Sequence, residues 1–230
     1  MNNFLSKIHI FALSHKQPDS MIFDIHTHHK PTDFTVAIQS LTVSEAEKQL
    51  TSNTEGLYSV GIHPWYISEN YRSDLQMLKN HASNKRVVLI GECGLDKNSK
   101  ATASIQIQVF KAQVKLSEEL QKPLIIHCVG YFNELLTIKK DMNPQQLWIV
   151  HGFRGKPQLA TQLLKAGCAL SFGEKYNEDS VRVTPIEKLY IETDESTVSI
   201  ETIYRKIAVV KAIAPDNLMA GTLLLEKLLS

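Results

Sequence analysis

Six short segments end an apolar run on a residue able to bind a cation or move a proton. They are Asp24-Ile25-His26-Thr27-His28, Gly61-Ile62-His63-Pro64, Gly91-Glu92-Cys93-Gly94-Leu95-Asp96, Ile125-Ile126-His127, Val150-His151-Gly152-Phe153 and Ile191-Glu192-Thr193-Asp194. In an extended chain, alternation puts Asp24, His26 and His28 on one face and Ile25 on the other. Two imidazoles so spaced can close on one cation. A lone His-x-His would be read more simply as a polar strand end. Brought together, however, with the five further segments of the same kind, it would bury many ionisable groups in one place, which is costly without a cation. The donors are imidazole and carboxylate with no thiolate, a set that suits Zn²⁺ or Mn²⁺, whereas Mg²⁺ usually takes fewer histidines.

Bringing those residues together is the task of the elements that carry them. Apolar β-type runs cover 21–26, 35–41, 57–62, 87–92, 123–127, 147–150, 169–172 and 189–192. Helical periodicity separates several of them. In 104–120 the repeat is Ile107, Phe110, Val114 and Leu120; in 156–166 it is Leu159, Leu163 and Leu164, with Gly167 as the stop. In 200–214 it is Ile200, Ile203, Ile207 and Val210, ahead of Pro215. Eight strands alternating with helices predict an α/β fold, a single (β/α)8 TIM barrel, with a doubly wound open sheet as the alternative. In the barrel all eight C-terminal strand ends open on one mouth, and the active site is expected there.

Composition narrows the classes. Of 230 residues 43% are hydrophobic and 21% charged, which excludes disorder, collagen-like fibres and coiled coils. The net charge of +1 offers no global field for long nucleic acid, so phosphate recognition must be local. No stretch of 18 apolar residues occurs, so no membrane partner is expected. Cys93, Cys128 and Cys168 lie in apolar segments without zinc-finger spacing, as expected of reduced core residues. Lys7 and His9 interrupt the apolar segment at 4–13 and no signal cleavage pattern follows, which reads as cytoplasmic. Residues 1–20 read as an N-terminal extension or an upstream start, and 21–230 as one barrel domain.

Taken in order from Asp24 to Asp194, the motifs resemble the TatD-type metal-dependent hydrolases, members of the amidohydrolase-like barrels. The resemblance rests on His26-x-His28, Gly61-Ile62-His63-Pro64, Gly91 to Asp96, Ile126-His127, His151-Gly152-Phe153-Arg154-Gly155 and Glu192-Thr193-Asp194. It implies two divalent cations (Zn²⁺, Mn²⁺ or Mg²⁺) and hydrolysis of phosphodiester bonds in DNA, including single-stranded or frayed ends. Carried over, His26, His28 and Asp194 would hold one cation, His127 and His151 the other, and Glu92 would bridge them. His63 would face the substrate phosphate, and Asp194 would act as general base towards the attacking water. The competing reading is an amidohydrolase or esterase cleaving C–N or aminoacyl ester bonds. Some of those proteins bridge their metals through a carboxylated lysine, whereas Glu92 takes that strand end here.

This chain also departs from the family. After His127 it runs Cys128-Val129-Gly130-Tyr131, where members commonly carry an Arg or Lys, and Lys97 stands in place of a tyrosine. Arg154, between Gly152 and Gly155, is the candidate to supply the missing charge to the substrate, against the plainer reading of a solvated loop arginine. Cys93, Cys128 and His29 are expected to be non-ligands. Asp24 is open between holding a ligand imidazole and serving as a structural polar group, and Trp65 between stacking on a base and covering its loop.

Overall fold

The computed structural model of the chain describes residues 22–31, 36–52, 56–218 and 220–229. The 1–20 extension and the first residues of the strands expected at 21–26 and 35–41 lie outside them. Eight parallel strands follow in chain order around one sheet: β1 Phe23–Thr27, β2 Val36–Thr42, β3 Leu57–Gly61, β4 Val87–Asp96, β5 Leu124–Val129, β6 Trp148–Val150, β7 Ala169–Phe172 and β8 Leu189–Ile191. Helices α1 Val43–Thr51, α2 Tyr71–Ala82, α3 Ala103–Leu120, α4 Phe132–Met142, α5 Pro157–Lys165, α6 Glu178–Val183 and α7 Ile200–Lys211 follow β2 to β8 in turn, and α8 Ala220–Leu229 comes last. The architecture is the (β/α)8 barrel. No helix among the described residues is long and apolar enough to cross a membrane.

Alternation along the strands builds two apolar layers. Ile125, Ile149 and Tyr190 point into the barrel with Phe23, Ile25, Ile38 and Leu89, and α8 adds Ala220 and Leu224 to that inner cluster. Their neighbours Ile126, Val150 and Ile191 point outward against Val109, Phe110, Leu163, Ile203 and Ile207 of the helices. One more step along the inward row of each strand reaches His127, His151 and Glu192. The inner layer is therefore the floor of the site.

The barrel closes where the chemistry is. Between β8 and β1, Thr27 pairs with Asp194, the His28 N–H donates to the Asp194 carbonyl (3.0 Å) and the Asp194 N–H to the His26 carbonyl (3.0 Å). Asp24 staples the same seam. Its carboxylate accepts from the Thr193 N–H (3.1 Å), the Thr193 hydroxyl (2.6 Å) and the His26 N–H (3.3 Å), and it bonds no imidazole among the described residues. Of the two roles open to Asp24, the structure gives it the structural one. The strict alternation expected of 24–28 fails because the register shifts between Asp24 and Thr27, which leaves Ile25 inside the barrel together with the His26 side chain.

The two largest other differences from the sequence reading lie at the ends of β4 and α7. β4 runs through Asp96 rather than stopping at Glu92, because after a register shift Cys93 to Asp96 pair with Ile126 to Val129 of β5. α7 stops at Lys211, three residues before 214, since Ala212 turns left-handed (φ 53°) and the Ile213 N–H returns to the Ala208 carbonyl.

Candidate metal centre

Each strand end delivers one or two donors to the mouth. β1 brings His26 and His28, β4 Glu92, β5 His127, β6 His151, and the segment after β8 Asp194, with His63 entering from just beyond β3. Close approach of β4 to β5 depends on glycine. Gly91 (φ 133°) and Gly94 (φ 140°) have conformations that favour glycine, and a Cβ would run into the carbonyl oxygens of Ile125 and His127.

Glu92 lies at the centre, and its two oxygens face different histidines. Oε2 is 3.6 Å from His26 Nε2 and 3.4 Å from His28 Nε2, while Asp194 Oδ1 is 3.6 Å from both of those nitrogens. Oε1 is 2.8 Å from His151 Nε2, 3.0 Å from His127 Nδ1 and 3.2 Å from His63 Nε2. The first set is too widely spaced for strong hydrogen bonds, yet ligands about 2.1 Å from a common tetrahedral centre would stand roughly 3.4 Å apart. His26 is fully buried and, among the described residues, neither of its ring nitrogens has a hydrogen-bond partner. A buried imidazole with two unpaired nitrogens is costly, and a cation would relieve it. The donors thus fit divalent cations in both chemistry and spacing. Three ligand-like groups converge, His26–His28–Glu92, His26–His151–Asp194 and His63–Glu92–His127.

Around these donors lies a layer to which the sequence reading assigned no role. Asp96 Oδ2 is 2.9 Å from His127 Nε2, which leaves Nδ1 aimed at Glu92. Glu192, buried, accepts the Gly152 N–H (2.6 Å) and lies 3.4 Å from His151 Nδ1, so that Nε2 faces the site. Carboxylates on the far nitrogen set the tautomer and orientation of an imidazole. The signal was present in the spacing, because Asp96 and Glu192 fall at even steps from Glu92 and Asp194. Two buried glutamines of α3 hold the strand ends: Gln106 bonds the Asp96 N–H (2.8 Å) and carbonyl (3.0 Å), and Gln113 bonds the Ile62 N–H (2.8 Å) and carbonyl (3.1 Å).

His63 differs from the other histidines. Its Nδ1 accepts the Trp65 N–H (3.1 Å), so in the neutral ring Nε2 carries the proton and points into the site as a donor. Burial lowers its pKa and outweighs the nearby Glu92, which keeps the ring neutral. Burial works to raise the Glu92 pKa, but His151, His127 and His28 hold it well below the usual carboxylate range. Asp194 is likewise lowered, burial being overcome by the His26 and His151 rings. His151 is pushed well above the usual imidazole value, since Glu92 and Glu192 outweigh its burial, and His28 is raised, chiefly by the Glu92 carboxylate that faces it. At the closure seam, burial pushes Asp24 up to about 7.

The donors open on a cleft of about 480 Å³ whose lining includes His28, His63, Trp65, Glu92, Arg154 and Asp194. Arg154 is exposed and also lines a second hollow of about 350 Å³ on the other side of Asp194. All eight residues proposed from sequence therefore meet at one mouth. His29 is exposed and lies outside the cleft lining, and Cys93 and Cys128 are buried with thiol pKa values raised by burial.

Fold and site together define a (β/α)8 barrel built around a histidine–carboxylate centre of the kind metal-dependent hydrolases use. The sequence pattern of TatD-related DNases matches residues 15–218, and the chain belongs to that family. It is 34% identical over 161 residues to an uncharacterized metal-dependent hydrolase of Buchnera aphidicola, a match covering 66% of this chain and 60% of that protein. It is 30% identical over 147 residues to the 3'-5' ssDNA/RNA exonuclease TatD of Erwinia amylovora, covering 59% of this chain and 56% of that one. The chain thus spans somewhat over half the length of these relatives. The crystal structure of the TatD homologue YjjV of Escherichia coli K12 superposes with a TM-score of 0.75 at 18% identity, covering 90% of this chain and 95% of that one, a likeness of fold.

Proposed function

We propose that the chain is a two-cation hydrolase of phosphodiester bonds, acting on nucleic-acid ends or small phosphodiesters. The observation that carries this reading is the division of Glu92, with Oε2 turned to His26 and His28 and Oε1 to His127 and His151. A carboxylate so placed suits a bridge, and the 3'-5' exonuclease name of the Erwinia relative points to the same bond type. The cleft lining contains no lysine among the described residues, so a carboxylated-lysine bridge has no donor here.

His26, His28 and Asp194 would hold one cation and His127 and His151 the other, with Glu92 common to both. Paired cations bound there would supply charge to neutralise the phosphate and to lower the pKa of the attacking water. The Asp194 Oδ2, which has no hydrogen bond among the described residues, is free to take a proton from that water. The Nε2–H of His63 donates to a non-bridging phosphate oxygen and holds phosphorus over the site.

Metal analysis tests the core of the reading. Protein purified without chelator and reconstituted with Mn²⁺, Zn²⁺ or Mg²⁺ should saturate at two equivalents and cleave DNA and nitrophenyl phosphodiesters in preference to aminoacyl esters. Saturation at one equivalent would overturn the two-cation arrangement, and preferential ester cleavage would transfer the chain to the amidohydrolase-type reading.

Arg154 is the cation we assign to the substrate, and its position on the cleft supports that role. No hydrogen bond or ion pair engages its guanidinium among the described residues, and it borders both hollows. A planar guanidinium grips phosphate with two parallel hydrogen bonds that lysine cannot copy. Arg154→Lys should lower kcat/KM on phosphodiesters roughly tenfold with metal content unchanged, and less on a neutral ester. Equal kinetics for Arg154→Ala and wild type would discard the clamp and leave the charge to Lys97 or the cations.

A further inference from the structure

The cleft has an aromatic wall that the ligands and Arg154 leave unexplained. After His63 the chain makes a single turn of 3₁₀ helix, Pro64–Tyr66, that thrusts two large rings into solvent. Trp65 is 56% exposed and Tyr66 63%, and both line the 480 Å³ cleft. Among the described residues only four other large hydrophobic side chains are exposed, none of them in the cleft lining. A ring that covered its own loop would be buried, so the covering role open to Trp65 from sequence does not apply.

The turn is also held rigidly. Pro64 is buried and its carbonyl accepts from the Ser99 hydroxyl (2.6 Å). The Tyr66 N–H donates to the His63 carbonyl (2.9 Å) and the Trp65 N–H to His63 Nδ1 (3.1 Å). The indole Nε1–H donates to Asp96 Oδ2 (2.7 Å), the same oxygen that holds His127. An indole fixed by its edge presents its face at little entropic cost on binding. Its ring centroid is 5.2 Å from that of His63 and 6.1 Å from that of His127, and the Tyr66 ring is 5.6 Å from His63. The wall therefore stands beside His63, the residue that faces the substrate phosphate on the reading above.

We propose that Trp65 and Tyr66 form a stacking platform for the nucleobase beside the scissile phosphate, which makes them the residues of this chain that engage an unpaired base. The inference rests on the phosphodiesterase reading and deepens it. A base inside a duplex has both faces covered by its neighbours, so only a single-stranded or frayed end presents a free face to the platform. Stacking is indifferent to base identity, because every base has a π-face.

Fluorescence and kinetics test this together. The chain has two tryptophans, and Trp148 is fully buried, so only Trp65 is open to quenching by contact with a base. Trithymidylate with hydrolysis-resistant phosphorothioate linkages, added to the cation-loaded protein, should quench emission saturably. The same probe with an abasic sugar next to each linkage should not, and Trp65→Phe should abolish the quench. In turnover, kcat/KM for an ordinary oligonucleotide over its abasic counterpart should be roughly tenfold in wild type, survive in Trp65→Phe and collapse towards one in the Trp65→Ala/Tyr66→Ala double variant. Damage transmitted through Asp96 to His127 would lower both substrates alike and leave the ratio intact. Equal quenching by both probes, or an unchanged ratio in the double variant, would overturn the platform. Base-dependent quenching without cleavage of either oligonucleotide would leave the platform standing and remove the phosphodiesterase reading. Cleavage indifferent to the base would do the reverse.

Discussion

On the two-cation reading, Glu92→Gln should lower occupancy at both sites and abolish measurable turnover. Oε1 and Oε2 face different histidine sets, so one substitution reaches both. Two dications about 3.5–4 Å apart repel each other by on the order of 10 kcal/mol or more even at an effective dielectric of about 20, and the bridging charge is what offsets that repulsion. A neutral amide removes the offset and places an N–H₂ against imidazoles or a cation. The control is the adjacent Cys93→Ala. Its Sγ is buried on the other side of the strand near the Ile125 carbonyl (3.6 Å), so metal content should be unchanged. Its stability cost should be about 1 kcal/mol, the value of a small lost packing group. Metal analysis, circular dichroism and a phosphodiesterase assay on the two variants decide it, and full activity in Glu92→Gln would sink the bridging assignment.

Asp194→Asn should bind substrate and lose at least about a hundredfold in kcat, the usual scale for a missing general base. The substitution is a clean one because of the backbone. Asp194 is left-handed (φ 54°), a conformation asparagine also tolerates, and the closure bonds to His26 and His28 use main-chain atoms only. The amide oxygen can still face His26 and His28 from the Oδ1 position, so partial cation binding should persist while proton acceptance is lost. Steady-state kinetics at neutral pH, with KM and metal content measured on the same preparation, provide the check. Near-normal kcat would remove Asp194 as the base.

These variants could be chosen because much of the site is legible along the chain. Apolar runs ending in His26, His63, Glu92, His127, His151 and Asp194 mark strand ends, and strand–helix alternation makes a barrel bring such ends to one mouth. The helical periodicity of 104–120 was less informative. It identified α3 and its buried Phe110 and Val114, yet Gln106 and Gln113 are fully buried on the same helix while Ile107 is only partly so. A hydrophobic period cannot register glutamines whose amides are satisfied by the backbone of Asp96 and Ile62.

Residue type and local spacing alone determined that the chain alternates strands with helices, that its ionisable residues follow apolar strands, and that their donors are nitrogen and oxygen. Tertiary structure alone decided how those donors are shared. It turned one Glu92 oxygen to each histidine set, gave Asp96 to His127 and Glu192 to His151, and left Asp24 to staple Thr193 across 169 residues of chain instead of reaching an imidazole. The physical reason is register. Alternation and apolar runs are properties of neighbouring residues, whereas each of these pairings depends on how far adjacent strands slide, and shifts in β1 and β4 reset that distance where the ligands lie.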